Sequence, residues 1–161
     1  MDLLYVALVA VGLAVVAVLL WRVLGRRPPA RPRLPYTKRA SLLTPAEQRF
    51  YRVLLQAVPR GMTAFVKVRL LDVVSVPDKA WRVYGAPASG MHLDFVLADA
   101  GTADVRLVIE LDDKSHQRPE VRERDRFKDG ALASAGVPIL RVKVGWYDAA
   151  ELGARIGAAL G

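Results

Sequence analysis

The run Met91–His116, MHLDFVLADAGTADVRLVIELDDKSH, decides the fold. It holds two apolar stretches, Met91–Ala98 and Val105–Leu111, which read as strands joined by a turn around Ala100 and Gly101. Asp94 lies between Leu93 and Phe95, and the second stretch runs out through Glu110, Asp112 and Asp113. An ionised side chain beside a core is costly unless it is paired or holds a cation, so carboxylates converging from neighbouring strands suggest a metal-dependent site. Alternation along a strand puts Glu110 and Asp112 on one face and Leu111 on the other. If the two strands pair, Asp94, Glu110 and Asp112 meet at one edge. Such a set suits Mg²⁺ or Mn²⁺, which can activate water and shield the charge of a phosphodiester; hydrolysis of the DNA backbone is one chemistry it serves. The plainer reading of Asp112 and Asp113 is a polar strand end before a turn.

Working outward, Thr44 is placed to cap a helix that begins at Pro45, with Glu47 closing a capping box. Phe50, Val53, Leu54 and Ala57 give that helix one buried face, and Pro59 and Gly61 end it. Thr63–Val76 reads as a strand, with Ala64, Val66, Val68 and Leu70 on one side and Lys67 and Arg69 on the other. Pro77 and Asp78 then form a turn. Downstream, Pro119–Ala135 reads as a helix ended by Gly136, Ile139–Val144 as a short strand, and Asp148–Leu160 as an amphipathic helix carrying Leu152, Ile156 and Ala159. The order is αβββαβα.

The chain of 161 residues is 53% hydrophobic, but that average joins two unlike parts. Leu3–Trp21 contains no charged side chain, and at about 1.5 Å per residue it approaches the roughly 30 Å hydrocarbon thickness of a bilayer. Asp2 at the start and arginines after the run favour a retained anchor over a cleaved signal peptide. Residues 1–24 are therefore expected to form a transmembrane anchor, residues 25–40 a basic Pro-rich linker and residues 41–161 one α/β domain. Pro28, Pro29, Pro32 and Pro35 keep the linker extended. It bears much of the formal charge of +8: setting aside the seven cations of Arg22–Arg39 and Asp2 leaves 17 basic against 15 acidic side chains. The basic pI is thus mainly a topology signal. It places the domain in the cytoplasm, the N-terminus outside and the chain in the cell's inner membrane, with anionic lipid head groups as partners of the linker arginines. Absence of cysteine excludes disulfides and thiolate metal sites.

The phrases His92-Leu93-Asp94-Phe95-Val96-Leu97 and Val108-Ile109-Glu110-Leu111-Asp112-Asp113, then His116, Asp125, Lys128, Leu132, Gly136, Pro138, Leu140 and Arg141, resemble the bacterial domain of unknown function 2726. That family is similar to very-short-patch-repair endonucleases. The element order over about Leu43–Val144 resembles the αβββαβ core, with its central mixed sheet, of the PD-(D/E)xK or restriction-endonuclease-like superfamily. The resemblance implies metal-ligand roles for Asp94 and Glu110, an accessory acid in Glu47, Mg²⁺ or Mn²⁺ as cofactor and DNA as substrate. It also implies a lysine two positions after the third-strand acid, where this chain has Asp112. The role would pass to Lys128 on the following helix, or to Lys114 in a shifted Asp112-Asp113-Lys114.

Other features carry a bland reading beside the sharp one. His116 is either a general acid or base, or a surface histidine; His92 is equally open. Arg118, Arg122, Arg124, Arg126 and Lys128 are interleaved with Glu120, Glu123, Asp125 and Asp129, which favours a salt-bridged helix over a phosphate-binding surface. Arg141 can steady a phosphate or pair with Asp125 or Glu110. Trp81 and Tyr84 can stack on a base or cover the sheet. The rival to an enzyme is a nuclease-fold module that has lost its chemistry and binds nucleic acid or a protein at the membrane.

Overall fold

The structure is a computed structural model that describes residues 2–24, 34–112 and 119–161. It contains two compact units, residues 1–38 and 39–161. In the first, helix α1 (Leu3–Leu24) has a mean hydropathy of 3.0 over Leu3–Arg22 and is long and apolar enough to cross a membrane.

The second unit is a mixed α/β structure. Helix α2 (Pro45–Ala57) is followed by β1 (Met62–Arg69), the short helical turn α3 (Leu70–Val73) and a connection of 3-10, π and α turns ending in α4 (Ala86–Ala88). Then come β2 (His92–Asp99), β3 (Val105–Asp112), α5 (Pro119–Ser134), β4 (Ile139–Lys143) and α6 (Ala149–Leu160). The strands form one sheet in the order β1-β2-β3-β4, antiparallel except for the parallel β3–β4 pair. The parallel step is the one that needs a crossover, and α5 supplies it.

Both faces of the sheet are covered. Phe50, Leu54 and Ala57 of α2 and Leu152 and Ile156 of α6 pack on Phe95, Leu97, Leu107, Ile109 and Leu111. On the opposite face Leu70, Ala88 and Leu132 pack with Leu93, Val96 and Val108. Double coverage explains why β2 and β3 read as unbroken apolar runs rather than alternating ones. Thr44 caps α2 as expected, through a complete capping box with Glu47, and Gly61 turns the chain into β1 at φ +81°.

The strand expected over Thr63–Val76 stops at Arg69, and the reason is local. Lys67 has φ +54°, a left-handed conformation that costs a lysine on the order of 1–2 kcal/mol and re-aims the side chains beyond it. Ala64 and Val66 pack against the α2–α6 side, whereas Val68 and Leu70 pack against the opposite cluster. The four apolar residues expected on one face are thus divided between two. Leu70, fully buried, gives its N–H to Met91 O at 3.0 Å and opens the helical turn.

Phe50 is the residue most central to the α2 face: fully buried, with its ring centroid 5.1 Å from that of Phe95 and 5.0 Å from that of Tyr147. Phe50→Ala should lower the stability of the α/β unit by about 3–5 kcal/mol, read as a fall in the urea midpoint at unchanged slope.

Candidate functional site

The site begins where a ladder opens. Strands β2 and β3 pair from Ala98↔Val105 up to Phe95↔Ile109, and Asp94 and Glu110 are the next residues on each strand. In place of a backbone partner, the Leu111 N–H donates to Asp94 Oδ2 at 3.1 Å, and the Asp94 N–H reaches Glu110 Oε1 at 3.4 Å. The two carboxylates therefore interlock across the gap, each holding a main-chain amide beside the other.

Lysines from two further elements complete the arrangement. Val66↔Phe95 and Val68↔Leu93 bracket Lys67 and Asp94, so these two face each other across β1 and β2. Lys67 Nζ lies 2.8 Å from Asp94 Oδ1 and 2.7 Å from Glu47 Oε1, while Glu47 Oε2 accepts the Thr44 N–H at 2.8 Å. The capping box thereby fixes one oxygen of Glu47 and leaves the other for the lysine. From α5, Lys128 Nζ donates to Glu110 Oε2 at 2.5 Å and lies 3.6 Å from Asp125 Oδ1, one helical turn away. The left-handed backbone at Lys67 is strain located at a cluster of paired charges, as at many functional sites.

Burial pushes the Glu110 carboxyl above its ordinary 4.5, against the pull of Lys128, and the nearby Asp94 adds to the upward shift. Burial of Lys67 works against its charge, but its bonds to Asp94 and Glu47 outweigh that and hold its pKa above 10.5. Lys67 therefore stabilises the fold fully below pH 10.5, and its contribution fades as pH climbs through its higher folded value. A raised carboxyl has the same sign: the fold favours protonated Glu110, so its ionised form is held at a cost near neutrality, offset by Lys128.

Of the expected site residues, Glu47, Asp94, Glu110 and Lys128 lie in this one cluster. Asp112 shares the Glu110 face but is drawn toward β4, where Arg141 donates to it at 2.9 Å and to Asp129 at 2.7 Å. Arg141 thus pairs with Asp112 and Asp129 rather than with the expected Asp125 or Glu110. Lys114 and His116 lie outside the described residues. His92 is exposed and shares a small cleft with Arg124, Asp125 and Lys128. Among the described residues, no three acidic or histidine side chains form a group that could hold a metal. Asp78 sits in the exposed 3-10 turn. Alternation along the strand assigns Lys67 to an outward face with Arg69, so the sequence does not single it out; its cation between Val66 and Val68 is the one local signal.

Glu110 is 4% exposed and Lys128 9%, so the pair is a buried one. Lys128→Met strands the carboxylate and should cost about 3–5 kcal/mol at pH 7, most of it recovered in the double variant Glu110→Gln, Lys128→Met. The penalty should shrink as pH falls through the raised Glu110 pKa, because a neutral carboxyl no longer needs the ammonium. Urea melts of the three variants at pH 7 and pH 4.5 check this; an unchanged penalty would remove the assigned ionisation of Glu110.

Comparison with curated proteins and with solved structures finds no significant match. A family model described as "Protein of unknown function (DUF2726)" matches residues 39–160, which takes in every helix and strand from α2 to α6. The chain belongs to the DUF2726 family.

Proposed function

We propose that this is a single-pass protein of the inner membrane, N-terminus outside, whose cytoplasmic domain has the restriction-endonuclease-like fold and cleaves DNA phosphodiesters with Mg²⁺ or Mn²⁺. The observation that carries the reading is the meeting of Asp94 and Glu110 at the open end of the β2–β3 ladder, with a lysine on each. The αβββαβ order and the mixed sheet agree with the superfamily and its similarity to very-short-patch-repair endonucleases. The apolar α1 and the arginines after it support the anchor and its orientation, with anionic lipid beside the linker.

The donor set fits a small hard cation. Mg²⁺ is commonly held by one or two carboxylates and completes its shell with water and substrate phosphate, so it does not require a cage of three acids. Asp94 and Glu110 would hold it, since each has one oxygen on a lysine and another that, among the described residues, accepts only a backbone amide. Such an ion would supply Lewis-acid polarisation of the phosphodiester.

The two lysines divide the remaining work. Lys128 is buried and orients Glu110. Lys67, with 30% of its side chain exposed, can offer its ammonium to a phosphate while Glu47 and Asp94 keep it charged and aimed. Lys67 thus takes the part that the superfamily pattern assigns to the residue at Asp112.

A second reading rests on one observation. The acids are already matched by Lys67, Lys128 and Arg141, which is also how a nuclease fold would stabilise itself after losing its chemistry while still binding nucleic acid or a protein. Two measurements separate the readings. Incubated with Mg²⁺, the protein should nick DNA, and Asp94→Ala, Glu110→Ala and Lys67→Ala should each reduce the rate about 100-fold or more. Calorimetry should show Mg²⁺ binding that Asp94→Ala abolishes. Equal cleavage by wild type and variants sinks the enzyme, and absence of Asp94-dependent binding favours the inactive module.

The anchor is tested separately. Deleting Leu3–Trp21 should move the protein from the membrane fraction to the soluble fraction without changing the far-ultraviolet signature expected of the α/β unit.

A further inference from the structure

Strand β4 leaves the sheet beside the carboxylates and leads to a bare indole. Trp146 is 87% exposed, more than any other large apolar side chain described in the α/β unit. Its loop is nevertheless anchored on both sides. Val144 N–H donates to Asp112 O at 3.0 Å, Gly145 N–H donates to Tyr147 Oη at 3.2 Å, and the Tyr147 ring meets Phe50 edge-on in the core. Asp148 then caps α6 by accepting the Glu151 N–H at 2.9 Å. A large aromatic ring held out in water by neighbours that are themselves tied down presents a flat apolar face ready for a partner.

The surroundings select that partner. Trp146 shares a cleft with Asp112, Arg141, Lys143, Asp148, Glu151 and Arg155. Asp112 is paired with Arg141, which Asp129 shares, Asp148 is engaged in its cap, and Glu151 sits in the first turn of α6, where the helix dipole favours it. Lys143 has no carboxylate partner among the described residues, and Arg155 gives an N–H only to the Arg141 carbonyl, at 2.9 Å. An aromatic face flanked by two available cations is the composition of a single-strand platform, in which bases stack and phosphates meet the charges. The position agrees. β3 and β4 are parallel, so their C-terminal ends share one edge, and Asp112 lies about 7 Å along the strand from Glu110.

We infer that Trp146 stacks an unpaired base of single-stranded DNA while Lys143 and Arg155 take the adjoining phosphates, so that the strand continues past Asp112 to Asp94 and Glu110. The inference rests on the nuclease reading of that site and names its substrate form: a single strand or frayed end in preference to intact duplex.

The test uses the full chain in detergent micelles with Trp21→Phe and Trp81→Phe, which leaves Trp146 as its sole tryptophan, and EDTA to prevent cleavage. Titration with a short oligothymidylate should quench the fluorescence by half or more, and a matched duplex should bind more weakly. Trp146→Ala, checked for folding by circular dichroism and followed by oligonucleotide anisotropy, should lower affinity about 5- to 150-fold, with partial rescue by Trp146→Phe. Unchanged affinity in Trp146→Ala, preference for duplex, or no DNA binding at all overturns the inference. A blue shift on anionic vesicles with no response to DNA also overturns it and assigns the indole to the bilayer. The two readings fail separately: quenching without Mg²⁺-dependent cleavage removes the enzyme alone, and cleavage with full binding by Trp146→Ala removes the platform alone.

Discussion

Charges taken out of water must be paired, and in this molecule that requirement is met where the β2–β3 ladder opens. Asp94 and Glu110 accept main-chain amides across the gap and each takes a lysine from outside the pair of strands. Each ionised acid is held there by its cation. The same bonds that make the opening stable also draw together α2, β1, β2, β3 and α5. The site is therefore a joint of the fold as well as a cluster of paired charges.

The layers around it follow from the same geometry. A sheet covered on both faces leaves polar chemistry only at its edges and at interruptions of its ladders, and both are used here. On the α5 side, Glu110 is followed by Asp112, which accepts from Arg141, and Arg141 also donates to Asp129. On the α2 side, Glu47 serves the helix cap with one oxygen and Lys67 with the other. One carboxylate thus links a local helix-starting rule to a contact with a strand 20 residues further along the chain. The strained φ of Lys67 belongs to the same economy of structure: the residue leaves the strand's alternation and arrives opposite Asp94.

Much of this was readable from residues alone. The capping box at Thr44, the strands around Asp94 and Glu110, the α5 crossover and the Asp148–Leu160 helix all rest on local patterns, and the structure places them within a residue or two of expectation. The reading of Thr63–Val76 as one strand failed because one left-handed residue changes which face each later side chain occupies, and periodicity does not record the sign of φ. Lys67 was passed over for the same reason. The partners of Arg141, Asp112 and Asp129, depend on the register of β4 against β3 and on the rotation of α5, which local sequence does not encode.

What the sequence determined by itself is the set of elements, their order, the apolar helix at the start and the acids that burial makes conspicuous. These depend on neighbours a few residues apart, where periodicity, caps and turns act. The tertiary structure alone decided which cation answers which acid: Lys67 for Asp94 and Glu47, Lys128 for Glu110, Arg141 for Asp112. Those choices join residues 18 to 29 positions apart for every strand acid, and they are set by strand register and the direction of each side chain. Coulomb attraction acts through space, and only the folded chain defines that space.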